Sequence, residues 1–257
     1  MLLILGSLVS KACCRGLLLT AGLVGVVWSA ASFPAFWLAI PTKEIAARIL
    51  ADDRFRPGIL KDALPLLQAD AEPVIRRGDA LQAAALIRLQ ISEDTIGRKL
   101  PHEIDRESAI AQDELKAALM LNPSGSFLWI KLYSVEIARS GIGDKAIAFL
   151  AQSYATGPLE AWIALRRNRI ALAVYPSLSR DVQSKVASEF SGLVESDFVD
   201  EALLSLTGPG WRERDRLLEG LASVNEISRE AFAKRLAREG LKVTVPGITL
   251  DERLWQR

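Results

Sequence analysis

The run from Gly16 to Thr42 holds 27 residues without one charge, GLLLTAGLVGVVWSAASFPAFWLAIPT, and it constrains this chain more than any other feature. A hydrocarbon core of about 30 Å takes about 20 helical residues to cross. Gly16 to Phe33 comes close to that length before Pro34 interrupts it, and Trp28, Phe33, Phe36 and Trp37 crowd its far end, where aromatic rings favour the headgroup level. The reading is an N-terminal transmembrane helix. Two others fit less well. A cleaved signal peptide ending near Ser29 and Ala31 leaves SFPAFWLAI on the mature chain. A buried soluble helix is rarely this long without a charge.

Lys11 and Arg15 before the run favour an inside N-terminus, although Lys43, Arg48, Arg54 and Arg56 after it weaken the asymmetry. The expected location is a bacterial inner membrane, crossed once, with the remaining domain in the periplasm. Ala21, Gly25 and Ser29 recur every four residues and put small side chains on one helix face, which makes them candidates for membrane helix packing.

Beyond the run the composition is that of a folded, balanced domain. Lys11 and Arg15 supply two of the 32 basic residues, so the rest sets 30 bases against 31 acids. That balance gives no general attraction to nucleic acid. Cys13 and Cys14 are the only cysteines, and both lie beside the apolar run, so the domain has neither a disulfide framework nor a thiolate metal site.

Helical periodicity dominates the domain. A short helix is predicted over Lys43–Asp52, and a broken one over 59–76, which contains Pro65 and Pro73. A strong helix follows at 80–91, then a polar connection at 92–102. Further helices are predicted at 105–121, 125–140, 144–155, 159–175, 179–191, 195–206, 211–223 and 226–239, with Asn225 capping the last and Gly240 ending it. The tail VTVPGITL is expected to hold a short extended piece. No series of alternating strands is present, so the fold class is all-α. The expected organisation is an anchor at 1–41, a helical linker at 42–104, a repeat core at 105–176 and a C-terminal helical region at 177–257.

Spacing sharpens this reading. Asn122-Pro123 and Gly157-Pro158 lie 35 residues apart, and so do Phe127 and Trp162. Ala111, Leu115, Ala118 and Pro123 form a small, large, small and turn series on one helix and its exit. Trp129 and Leu132 supply large residues on the next helix, and Ala146, Leu150 and Pro158 repeat the earlier series. This pattern resembles the tetratricopeptide repeat, whose period is about 34 residues with two helices per unit. The resemblance covers 105–175. Tyr133 departs from it where the family prefers Gly, and Arg167 and Asn168 depart from it in the next unit. It implies stacked helical hairpins with first helices lining a concave groove. A generic antiparallel bundle is the alternative. The string GPLEAWIALRRNRIAL is also similar to segments of small bacterial membrane proteins near polysaccharide-assembly machinery.

Catalytic equipment is sparse. His102 is the only histidine, so no Cys–His or Ser–His–Asp set can form in the domain and no histidine-rich metal site can be built. It is read as a loop residue. Gly141-Ile142-Gly143-Asp144-Lys145 lacks the spacing of a phosphate loop and reads as a turn. The chain is expected to be no enzyme and to need no cofactor or metal.

The candidate binding residues lie in the groove: Trp129, Glu136, Trp162, Arg166 and Arg169. On a helical wheel Leu159, Trp162, Ile163, Ile170 and Val174 define an apolar face, with Arg166 near its middle, Arg167 and Arg169 at its edges and Asn168 opposite. A guanidinium in that position needs an internal carboxylate, for which Glu136 is the candidate, or a wet, anion-gripping groove. The expected function is a membrane-anchored scaffold holding a protein partner in the cell envelope. The alternative is an accessory factor in cell-surface polysaccharide biosynthesis or export that contacts glycan.

Overall fold

The computed structural model describes residues 15–31, 33, 44–49, 59–60, 78–95, 101–158 and 160–249. Among these the chain is all-helical, with no strand. It divides into two compact units, Met1–Leu121 and Asn122–Arg257.

In the first unit, residues 15–31 form α1 and 44–49 form α2. They are followed by α3 (Gly78–Thr95) and α4 (Pro101–Leu121), which pack against each other. Ala83, Ala85, Leu86 and Ile87 are buried on α3, as are Ala111, Leu115 and Ala118 on α4. Alternating small and large residues let two helix axes approach closely. The predicted polar connection over 92–102 is shorter than expected, because α3 runs to Thr95 and α4 starts at Pro101. Proline suits a first helical turn, where its missing N–H has no intrahelical partner to lose. His102 therefore sits in the first turn of α4 and not in a loop.

Among the described residues no helix is long and apolar enough to cross a membrane. The 17 residues of α1 span about 26 Å, short of the core's roughly 30 Å. The predicted span ran on to Thr42, and Ser32 and residues 34–42 of it lie outside the described residues. Within α1 the apolar side chains have little cover: Leu17, Leu18, Leu19, Leu23 and Trp28 are each more than 60% exposed. Ala21, Gly25 and Ser29 lie on this helix, and a Cβ added at Gly25 would meet nothing within 4 Å.

The second unit contains α5 (Ser126–Ser140), α6 (Asp144–Thr156), α7 (Ala161–Ala173), α8 (Arg180–Glu195), α9 (Val199–Thr207), α10 (Arg214–Gly220) and α11 (Glu226–Arg238). Short 3-10 turns join several of them, at Tyr175–Ser177, Pro209–Glu213 and Leu221–Ser223. Gly141 ends α5 at φ 76°, a left-handed backbone that favours glycine. The chain then folds back so that α5 and α6 form a hairpin. Ser179 caps α8 by accepting from Val182 N, and Asn225 caps α11 by accepting from Ser228 N.

The central helix is α8, which touches α6, α7, α9, α10 and α11. Its Val182, Val186, Phe190, Leu193 and Val194 recur at helical spacing and are all buried. Phe190 meets Phe232 of α11 edge to face, with ring centroids 5.9 Å apart. After Gly240 the chain runs without a strand to Thr249, with Val245 buried against the core.

Candidate functional site

The second unit closes around one fully buried arginine. Arg167 lies on α7, whose buried residues are Ile163, Ala164, Arg167, Asn168, Ala171 and Leu172. This face differs from the predicted one. Leu159 lies outside the described residues, the helix starts at Ala161, and Trp162 is 38% exposed. Arg167 and Asn168, expected at the edge and the opposite side, are buried with no exposure at all, Arg166 is half-buried, and Arg169 is exposed. Ile163 and Val174 of the predicted face are buried, but the inward face of α7 also takes in Ala164, Ala171, Leu172 and two polar residues, which a wheel weighted by bulky side chains does not reveal.

Every nitrogen of the Arg167 guanidinium is engaged. Nε donates to Glu189 Oε1 at 3.0 Å, and Nη2 donates to the same oxygen at 2.5 Å and to Gly157 O at 3.0 Å. Nη1 donates to Ser153 O at 2.7 Å and lies 3.1 Å from Ser153 Oγ and 3.2 Å from Ser126 Oγ. The cation also sits 4.0 Å from the centre of the Tyr154 ring. Tyr154 Oη donates to Glu189 Oε2 at 2.6 Å, and Asn168 Nδ2 reaches Val186 O at 2.9 Å. One side chain thus ties α5, α6, the loop at Gly157 and α8 together.

Local sequence makes room for this. A Cβ on Gly157 would fall 2.6 Å from Ser126 Cβ, so only glycine brings that carbonyl to the guanidinium. Burial pushes the Glu189 carboxyl above the usual carboxylate range, against the opposing pull of Arg167, Tyr154 and Asn168. The Tyr154 phenol is held well above its ordinary value, by burial first and then by the Glu189 charge. Both Glu189 oxygens already accept donors, so the carboxylate holds helices together and has little capacity left for a ligand. Tyr154 and Glu189 also line a cleft of about 280 Å³ between α7 and α8, walled by Pro158, Ala161, Ala164 and Leu193.

The predicted binding residues fall into two groups. Trp162 stacks on Phe127 with ring centroids 5.1 Å apart and planes inclined at 42°, and the Arg166 guanidinium lies 5.9 Å from both rings. Arg166 Nη1 also donates to Trp162 O at 3.1 Å. Trp129 belongs to a separate cluster. Its Nε1 donates to Pro123 O at 2.9 Å and its ring packs on Phe149 at 5.9 Å. Glu136 is buried and pairs with Lys145 at 2.7 Å. The tight loop at 141–143 returns α6 alongside α5 and brings Lys145 to this carboxylate. Arg169 joins neither group.

Among the described residues no group of three or more His, Cys, Asp or Glu side chains is placed to hold a metal ion. No family model, curated protein or solved structure matches this chain. Its function therefore has to be argued from its own geometry. The sequence reading missed Arg167, Glu189 and Tyr154 as a group. A signal was present: Tyr154 and Glu189 are 35 residues apart, the same interval that separates Phe127 from Trp162.

Proposed function

We propose that this chain is a membrane-anchored helical-repeat scaffold that holds a protein partner in the cell envelope. The observation that carries the reading is one of register. Residues one 35-residue interval apart touch each other, Phe127 on Trp162 and Tyr154 on Glu189. Contact between equivalent positions of successive hairpins is what a stacked array produces, since each unit buries its face only against its neighbours. In such an array the first helices, here α5 and α7, line the binding face. They place Phe127, Trp162 and Arg166 together there.

The anchor rests on α1. A helix of exposed leucines and valines leaves apolar surface that lipid or another apolar helix has to cover. Extraction of native membranes with alkaline carbonate tests it: the full chain stays with the lipid, and release into the supernatant removes the anchor from the proposal.

A second reading is an accessory role in cell-surface polysaccharide biosynthesis or export. The half-exposed Trp162 indole beside Arg166 favours it, because an aromatic platform and a guanidinium together suit an anionic sugar. A photo-crosslinking amino acid at position 162, used in native membranes with position 169 as the control, separates the two. A protease-sensitive adduct supports the scaffold, and a protease-resistant, glycan-staining one supports the second reading. Equal adducts from 162 and 169 sink both.

A further inference from the structure

The cleft between α7 and α8 has features that the Arg167–Glu189 pair does not account for. Pro158, Ala161, Ala164, Leu193 and Phe198 wall its volume of about 280 Å³ with carbon. Gly192, inside α8, also lines it. Glycine weakens a helix interior. The packing of this chain does not call for one here, because a Cβ at Gly192 would meet nothing within 4 Å. What the missing side chain does is keep the cleft open.

Among the described residues, the charges lining the cleft are Lys185 and Glu189, and each already faces an opposite charge. Lys185 Nζ lies 2.8 Å from Asp181 Oδ2, and Glu189 is held by Arg167. A charged occupant would therefore give up water without a counter-ion to meet. Tyr154 has committed its one phenolic proton to Glu189 Oε2 at 2.6 Å, and it keeps that proton because burial and the Glu189 charge hold the phenol well above its ordinary value. What its oxygen can still offer is a lone pair. Ser188 and Ser196, both exposed, can turn their hydroxyls to either role.

We propose that this cleft binds a small, neutral aromatic ligand of the indole or phenol class, whose single N–H or O–H donates to Tyr154 Oη. An engineered cavity of about 150 Å³ in another protein holds benzene, so this volume suits one such ring system. The ring packs over Gly192 and against Leu193 and Phe198. A plain hydrocarbon would cover the tyrosine oxygen without giving it a partner, and a sugar would leave most of its hydroxyls unpaired against carbon walls. The cleft shares no residue with the Phe127–Trp162 face, and the inference does not depend on the scaffold reading.

The test uses the full chain in lipid nanodiscs and follows fluoroindole and fluorophenol by fluorine NMR, with Gly192→Leu as the blocked control. Leucine is a strong helix former and its Cβ has open space, so the fold is kept and the probes partition into lipid equally for both proteins. The native chain binds at least one probe saturably, and Gly192→Leu weakens that binding about tenfold or more. N-methylindole, which has lost the donor, competes about fivefold or more less well than indole. Tryptamine and indole acetate, of opposite charge, also compete less well than indole. Affinity unchanged in Gly192→Leu overturns the proposal, and so does N-methylindole competing as well as indole. A preference for either charged analogue overturns the neutral class, and the absence of saturable binding by both probes overturns the site itself.

Discussion

Arg167 and Glu189 meet through two hydrogen bonds to a single oxygen, Glu189 Oε1, across 22 residues of sequence and with almost no exposure on either side chain. A buried pair of this kind contributes little net stability over an apolar replacement, yet removing one partner alone is costly, because it strands a charge away from water.

Arg167→Met is therefore expected to cost about 3–5 kcal/mol in urea unfolding of the full chain. Arg167→Met with Glu189→Leu recovers most of that loss, since no charge is left buried. A double variant no more stable than the single one would remove the ion pair as the cause.

The pH dependence follows from the raised Glu189 carboxyl. A group whose folded value lies above its unfolded one contributes stability that is fully present below the unfolded value, about 4.3 for Glu, and is lost as pH rises through the folded value. In Arg167→Met the main force holding the carboxyl down is gone, so the folded value rises further. Unfolding free energy measured from pH 4 upward should fall more steeply for Arg167→Met than for the native chain. Parallel slopes would show that the carboxyl does not titrate in this window.

Two glycines should respond in opposite directions. A Cβ at Gly210 meets Ser205 O at 2.7 Å, backbone that cannot step aside, so Gly210→Ala costs about 1–3 kcal/mol. Gly192 lies inside α8, exposed, with open space where a Cβ would go. Gly192→Ala is expected to stabilise by about 0.5–1 kcal/mol, as alanine restores helix propensity. Thermal melts of the two variants check both signs.

The cap of α11 is a local test. Asn225 Oδ1 accepts from Ser228 N at 2.9 Å, and its Nδ2 donates to Glu195 Oε1 at 2.8 Å. Asn225→Ala loses both and should cost about 1–2 kcal/mol, while Asn225→Asp keeps the cap and brings a like charge to Glu195. Urea midpoints of the two variants separate capping from the link to α8.

Much of the helical fold was readable because its signals are local. Pro123, Gly141 and Pro158 mark helix ends, and the small and large series at Ala111, Leu115, Ala118, Ala146 and Leu150 is buried. The face of α7 was not readable in the same way. Its wheel gave weight to Trp162 and Ile170, whereas what decides the face is a partner 22 residues on: Arg167 turns inward because Glu189 and four backbone or hydroxyl acceptors await it. Hydrophobic periodicity carries no information about a polar group whose cost is met by distant atoms. The split of the candidate residues has the same origin. Glu136 meets Lys145 of α6, a pairing set by the hairpin and not by the spacing within α5 or α7.

The Gly157 loop and the guanidinium beside it have a mechanical corollary. Stacked helical arrays usually bend like a spring, a little at every joint. The fork of an arginine is rigid and planar, and here its prongs reach four separate segments, so sliding these segments past one another would break all of those bonds together. This joint acts as a weld, and any flexing of the second unit has to be taken up elsewhere.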